Sequence, residues 1–406
     1  MELDETQRSL IAAIDSARSE ILSVSHRIHD RPELGKEEVF ASTLVADTLK
    51  KAGFTVELGY AGLPTALRAT KGTVTGYRVA FLAEYDALPV IGHGCGHNLI
   101  TAAALGAGIG LGAVVKSYGG QVLVIGTPAE ETDGAKVAMV AQGCFDTIDA
   151  AFMVHPYDGS YSEVESLAMD ALELKFYGRS AHAAASPWDG LNALDAVLLT
   201  FNAINALRQH IKPDARIHGI ITHGGEAPNV VPEFAAARFY VRARHRAYLD
   251  ELVARFKACA ESAAQATGTR VEIGTYEASF DDMASNTALS GRFCEYMVGA
   301  LGSGPFARVP DSFGSLDMGN VSHVIPAVHA LVDITAGVKM SLHTAEFRNA
   351  ASTAYADEAI IRAAKAMALT ALDVLRDSAF LESARGEFRT RLGHDPKGSG
   401  RLSSGS

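Results

Sequence analysis

The spacing of apolar positions divides the chain into two styles. Residues 5–29 repeat apolar side chains every three to four positions, the period of an amphipathic helix, and "EEVFASTLVADTLKKAGF" (37–54) does the same up to Gly53. Strands are predicted in "TALRATKG" (65–72) and "YRVAFLAEYD" (77–86). An Ala/Gly/Leu-rich helix over 98–115 comes next, then the apolar strand of "GQVLVIGTPAEE" (120–131), a helix at 134–142 and the short strand of "IDAAFMVHP" (148–156). Uniformly apolar strands interleaved with helices predict a mostly parallel sheet covered on both faces.

At residue 167 the style changes. "LAMDALELKFYGRSA" (167–181) alternates with period two, as a strand with one wet face does. A helix at 190–209, strands at 215–225 and 232–243, a helix at 246–267 and a strand at 269–277 follow. That order, β-α-β-β-α-β, is the split βαβ arrangement and predicts a small inserted α+β domain. The first style then resumes with "VHALVDI" (328–334) and a helix over 352–377. The fold class expected is therefore α/β, a mostly parallel sheet flanked by helices, with an inserted ferredoxin-like domain. Residues 1–166 and 281–385 form the discontinuous main domain, 167–280 the insert, and 386–406 a tail whose Gly/Ser-rich end predicts flexibility.

Composition narrows the partners. A chain of 406 residues with 48% hydrophobic and 20% charged content has enough apolar material for two packed domains. A net charge of -11, with no dense Lys/Arg cluster, argues against a nucleic-acid partner. The uncharged run Leu99–Val115 falls short of the roughly 20 residues of a membrane span, so a buried helix is expected there and no membrane partner. The N-terminal segment is acidic and lacks the layout of a secretion signal. The four cysteines, Cys95, Cys144, Cys259 and Cys294, then read as reduced thiols of a cytoplasmic protein.

Ligands of open α/β sheets bind beyond the carboxyl ends of the strands. Three predicted strand ends carry metal-type side chains. Asp86, His93, Cys95 and His97 follow the strand of 77–86, Glu130 and Glu131 end the next, His155 ends the third, and "SLHT" adds His343. His93 alone is as well explained by packing before a helix as by ligation. Adjacent carboxylates such as Glu130–Glu131 repel one another near a core unless a cation compensates. Their side chains diverge, so one can hold metal while the other faces the attacking water, as general-base hydrolysis requires. Cys, His and carboxylate donors suit Zn²⁺, and oxygens suit Mn²⁺. So many ligands exceed one tetrahedral ion, so two divalent ions sharing an anionic bridge are expected.

In order, "YDALP…HGCGHN", "GTPAEE", "VHP", "GRSAHAAASPWDGLNALDA", "GGEAPNVVP" and "SLHT" resemble the motifs of the dimetal aminoacylase/carboxypeptidase/amidohydrolase peptidases. The branch most similar holds p-aminobenzoyl-glutamate hydrolase subunits and β-alanyl-lysine-type dipeptidases. The resemblance covers nearly the whole chain and implies a zinc-exopeptidase-like main domain with a dimerisation insert. It implies Cys95 as the bridge between two metal ions (Mn or Zn), with His97 and His155 on one and Glu131 and His343 on the other. Glu130 would be the general base, and Asp86, His93 and Asp317 would support the ligands from behind. His182 would act in trans across a homodimer on the scissile carbonyl, and Asn229 and Arg242 would hold the substrate carboxylate, a task suited to an Arg fork. The substrate implied is a small amide, an N-acyl or aminobenzoyl amino acid or a dipeptide.

Three positions depart from the family pattern. Asn98 stands where auxin-conjugate and hippurate hydrolases have Asp, Gly94 replaces the commoner Ala, and "GSLDMGNVSH" (314–323) lacks the hydroxyl residue before Asp317. Two other readings stay open: hydrolytic deamination of an aromatic amino acid or aminobenzoate by the same site, and a non-catalytic family member.

Overall fold

The computed structural model describes residues 2–309 and 314–393 and divides into two compact units. The first holds the chain through Glu165 and again from Met283; the second holds Ser166–Asp282 and the short stretch Gly314–Leu316.

The first unit opens with α1 (Glu5–Asp30), α2 (Val39–Lys51), β1 (Thr55–Leu58), β2 (Leu67–Gly72), β3 (Arg78–Ala83), α3 (His97–Val114), β4 (Gln121–Gly126), α4 (Ala135–Ala141) and β5 (Ala150–Tyr157). The second unit contributes β6 (Ala168–Tyr177), α5 (Ala193–Arg208), β7 (Arg216–His223), β8 (Phe234–Ala243), α6 (Arg246–Thr267) and β9 (Arg270–Thr275). The chain then returns through α7 (Thr287–Gly299), α8 (Met318–Ser322), β10 (Ala327–Asp333), α9 (Ala345–Ala350), α10 (Ala354–Arg376) and α11 (Ser378–Arg391).

Six strands of the first unit form one sheet in the order β1-β2-β4-β3-β5-β10. β4, β3, β5 and β10 run parallel, and β2 and β1 add an antiparallel edge. Because β3 lies between β4 and β5, the loops that leave their carboxyl ends are neighbours. α3 packs on this sheet and against α1 and α10. It is long and apolar enough to cross a membrane by composition, yet 83% of its apolar window is buried inside the protein. Its glycines permit the close approach: a Cβ at Gly110 would lie 2.5 Å from Ile14, and one at Gly108 2.4 Å from Val124. Fully buried Phe81, Phe152, Leu105 and Ile360 anchor the same core, each contributing about 1.5–3 kcal/mol. At its start α1 is fixed by a capping box, in which Asp4 accepts the Gln7 N–H at 2.8 Å and Gln7 accepts the Asp4 N–H at 2.9 Å.

The second unit has its own core of Leu172, Phe176, Val197, Phe239 and Phe256. Its four strands are antiparallel in the order β7-β8-β6-β9, with α5 and α6 packed together on the sheet, which is the ferredoxin-like arrangement. The edge strand β7 leaves Ile220 and Ile221 exposed.

One expectation is corrected. Residues 386–391, assigned to the tail, are the last turns of α11, held by the burial of Leu381 and Ala384. The Gly/Ser-rich end from residue 394 lies outside the described residues.

Candidate metal centre

The centre is built by three strand ends and one loop. Glu84 and Asp86 follow β3 directly, and the loop beyond them delivers Cys95 and His97 to the start of α3. Gly96 ends that loop in the left-handed region (φ 79°), and a Cβ there would lie 2.6 Å from Pro156, next to His155. Only glycine allows this loop to lie against the end of β5. At Gly94 a Cβ would meet the Ile91 side chain at 2.6 Å, so a larger residue there would require Ile91 to shift. After β4, Ala129 takes a positive φ of 58° to turn the chain into Glu130. That conformation costs roughly 1–3 kcal/mol in a non-glycine residue and is braced from beneath. Buried Glu38 accepts the Ala129 N–H at 2.8 Å and the Thr65 hydroxyl at 2.8 Å. His343 also has a positive φ (62°), and its N–H donates to the Gly94 carbonyl at 2.9 Å.

These loops bring together ligand-type atoms in three overlapping groups, each with all atoms within 4.8 Å of one another. They are Cys95, His97 and His155; Cys95, Glu131 and His343; and His97, Glu130 and Glu131. Cys95 is common to the first two groups. Its sulfur lies 3.4 Å from His155 Nε2, and His343 Nε2 lies 3.4 Å from Glu131 Oε1. Asp86 stands behind them, with one oxygen 3.0 Å from His97 Nδ1 and the other accepting the Glu131 N–H at 2.9 Å.

The charge around His97 is lopsided. Its ring lies within 4.0 Å of four carboxylates: Asp86 at 3.0 Å, Glu84 at 3.5 Å, Glu131 at 3.7 Å and Glu130 at 4.0 Å. Burial disfavours the charged ring, but Asp86 outweighs it and holds His97 well above the usual imidazole range. Burial, with Glu84 next, drives the Glu130 carboxyl well above its ordinary value. Burial also pushes the Cys95 thiol up and lowers His155 to about 4. Buried His97 Nε2, Glu131 Oε1 and Glu84 Oε2 accept or donate no hydrogen bond. Such atoms are costly unless satisfied. A thiol, three imidazoles and a carboxylate, with orphaned atoms facing one another in surplus negative charge, fit divalent cations.

Outside the three groups lie other residues that the sequence singled out. His93 belongs to none of the three groups. It is buried, its ring is stacked on His29 at 6.2 Å, and burial lowers it to about 3. Asp317 binds the ammonium of Lys136, which is fully buried, at 2.7 Å. Asn98 donates to the Ser25 hydroxyl and the Ala351 carbonyl, each at 3.0 Å, and an aspartate could not make the second bond. Glu38, Glu84, Lys136 and the buried His329, whose ring stacks on His155 at 5.8 Å, escaped the sequence reading. For Lys136 a signal existed. A lysine in the first turn of a short apolar helix opposes the helix dipole, so an anion must await it.

In the second unit His182 is exposed. Its Nδ1 accepts the N–H groups of Ala184 (3.2 Å) and Ala185 (3.1 Å), which leaves Nε2 as the protonated nitrogen. The Asn229 carbonyl accepts the Ala183 N–H at 3.0 Å. Arg242 lies over the Tyr240 ring at 5.3 Å and reaches the Ser315 hydroxyl at 3.4 Å. Its buried Nε has no partner, and among the described residues no carboxylate pairs with it.

A mostly parallel sheet whose strand ends gather these donors around a half-buried carboxylate pair defines a metal-dependent hydrolase of carbon–nitrogen bonds. Similarity to known proteins agrees. Residues 168–268 match a peptidase dimerisation domain. The chain is 36% identical to the Xaa-Arg dipeptidase of Mus musculus, over 96% of this chain and 94% of the relative. It is 30% identical to a p-aminobenzoyl-glutamate hydrolase subunit of Escherichia coli, over 95% of each. A dinuclear metal-binding M20 peptidase of Bacillus subtilis shares the fold, with a TM-score of 0.68 and 20% identity over 89% of this chain and 99% of that one. The chain belongs to the M20 family of dimetal peptidases and amidohydrolases.

Proposed function

We propose that this enzyme hydrolyses the amide bond of a dipeptide or N-acyl amino acid, releasing a free amino acid, and that two divalent ions, Zn²⁺ or Mn²⁺, are held by Cys95, His97, His155, Glu131 and His343. The convergence of these five donors beside Glu130 carries the reading. Bound divalent ions polarise a carbonyl and lower the pKa of water from 15.7 toward about 7.

The chain's own residues do the rest. Glu130, half-buried and not needed as a ligand, takes a proton from the attacking water as its oxygen bonds to the carbonyl carbon. It returns that proton to the leaving nitrogen as the C–N bond breaks. A carboxyl already raised by burial and by Glu84 suits both halves of that transfer. Asp86 fixes the His97 ring through Nδ1 and leaves Nε2 for the ion. Arg242, which has no carboxylate partner among the described residues, takes the substrate carboxylate together with Asn229. The mouse and bacterial relatives, by name, act on an Xaa-Arg dipeptide and on p-aminobenzoyl-glutamate, and both substrates carry such a carboxylate.

The working form is a homodimer. The dimerisation-domain match and exposed Ile220, Ile221, Leu198 and Leu199 on the insert support it. In that dimer the protonated Nε2 of His182 of the partner subunit donates to the oxygen that becomes negative in the transition state. The four free thiols support a reducing, cytoplasmic setting.

The test is a panel of dipeptides, N-acyl amino acids and aminobenzoates assayed after chelation and after reloading with Mn²⁺ or Zn²⁺. Activity should vanish with the metal, return with it, and yield a carboxylic acid and an amine. Release of ammonia from an aminobenzoate, or full activity in excess chelator, would overturn the reading.

A further inference from the structure

Behind the five donors lies a charged cluster to which the proposed mechanism gives no part in holding metal. The Lys136 ammonium is fully buried and bonds to Glu84 Oε1 at 2.6 Å and to Asp317 Oδ1 at 2.7 Å. A buried lysine is retained in charged form only beside anions, and here one cation faces two. The two carboxylates are not used alike. Asp317 is fully engaged, because its Oδ2 accepts the Lys136 backbone N–H at 3.1 Å. Glu84 has a second oxygen, Oε2, that is buried, accepts no hydrogen bond and lies 3.5 Å from His97 Nε2. The surplus negative charge of the trio therefore falls on one atom, and that atom faces the nitrogen assigned to a metal ion. Glu131 Oε1, also without a hydrogen bond, lies 3.7 Å from the same nitrogen.

We infer that Glu84 is a sixth group of the metal centre, an anionic contact for the ion held by His97, and that Lys136 and Asp317 are positioning residues that clamp its other oxygen. This rests on the dimetal reading above and adds a residue to it. Lys136 acts through Glu84: it fixes the carboxylate's orientation and, by taking only one oxygen, leaves the other for the cation. The arrangement resembles a ligand carboxylate with its own outer-shell partner, whose loss typically lowers metal affinity roughly 10–100-fold.

The test counts metal rather than turnover. Full-length wild type, Glu84→Gln, Lys136→Met and the double variant are stripped with chelator and titrated with Zn²⁺ and with Mn²⁺ against a fluorescent competitor. Bound ions are counted by mass spectrometry, and melting temperature in excess chelator reports folding. The expected result is an affinity for one of the two ions lower by roughly 10–100-fold in Glu84→Gln, a similar loss in Lys136→Met, and no further loss in the double variant. Wild-type affinity for both ions in folded Glu84→Gln would overturn the assignment of Glu84. Additive losses in the double variant would overturn the claim that Lys136 acts through it. Should Lys136→Met not fold, Asp317→Asn, which cuts the other arm of the clamp, takes its place and is read in the same two ways. A wild type that binds no divalent ion would instead overturn the dimetal reading itself.

Discussion

The two units hold their functional side chains in opposite ways. In the first, Cys95, His97 and Asp86 are buried, and the donors are held by second residues: His97 by Asp86, Glu84 by Lys136, and the turn before Glu130 by Glu38. In the second, His182 and Asn229 are exposed and tied only to nearby backbone, and Arg242 is half-buried with an unpartnered nitrogen. A centre that must hold several like charges close together needs low mobility and a compensating network, since burial magnifies every mismatch. Groups that meet a substrate only for part of a cycle need unspent hydrogen-bonding capacity instead. The contrast predicts that substitutions in the first unit change the metal or the proton transfer, and those in the second change contacts made to the substrate or its transition state.

Glu130→Gln should give the sharpest separation. The amide keeps the shape and removes the proton carrier, so kcat should fall by about 10²–10⁴-fold while bound metal per chain stays at the wild-type number. Turnover and metal content measured on one preparation check it. Loss of metal with the loss of rate would make Glu130 a ligand and move the base elsewhere.

That division was partly legible in the sequence. Cys95, His97, Glu130, Glu131 and His155 stand out because soft or charged donors follow largely apolar strands, and His343 because of the "SLHT" motif. The parallel strands and the change of period at 167 were legible for the same reason, since burial on two faces and burial on one leave different patterns. The bracing residues were not. Glu38 and Glu84 are carboxylates with other carboxylates nearby in sequence, and nothing in a single chain distinguishes a buried carboxylate from a solvated one; Lys136 left only the weak signal of a cation in a helix's first turn. β1 escaped because its Thr-Val-Glu-Leu, though it alternates, is four residues long and mostly exposed at the sheet edge. α11 escaped, and its end fell in the expected tail, because just two of its residues, Leu381 and Ala384, are buried.

The next effect in size should come from the insert. His182→Ala should lower kcat by about 10²–10³-fold, the range for loss of one oxyanion donor, with metal content unchanged. Mixing this variant with Cys95→Ala protein, whose own centre is disabled, should restore part of the activity once subunits exchange. Each mixed dimer then has one site with an intact centre and an intact histidine. No recovery after exchange has been demonstrated would place His182 in its own subunit's site or outside catalysis.

Arg242→Met should be felt mainly in KM. A charge-assisted contact is worth about 1.5–3 kcal/mol, so KM for a substrate with a free carboxylate should rise roughly 10–150-fold. The amidated analogue, which has no such charge, should lose little by the substitution. Equal losses for the two substrates would assign Arg242 to the packing around Tyr240 rather than to recognition.

The smallest effect sharpens the contrast from the other side, by asking what a purely architectural polar residue of the insert does. Asn192 caps α5, accepting the Leu194 N–H at 2.9 Å and the Asp195 N–H at 3.3 Å. Asn192→Ala leaves two first-turn donors without that partner and should cost about 1 kcal/mol, a shift of roughly 4 °C in the melting of the insert. kcat, KM and metal content should stay at wild-type values at temperatures well below that transition. Because α5 carries the exposed Leu198 and Leu199 assigned to the dimer contact, the variant also tests whether that face depends on a fully formed helix. A drop in activity that follows protein concentration, with no drop at high concentration, would mean that the cap supports assembly as well as the helix.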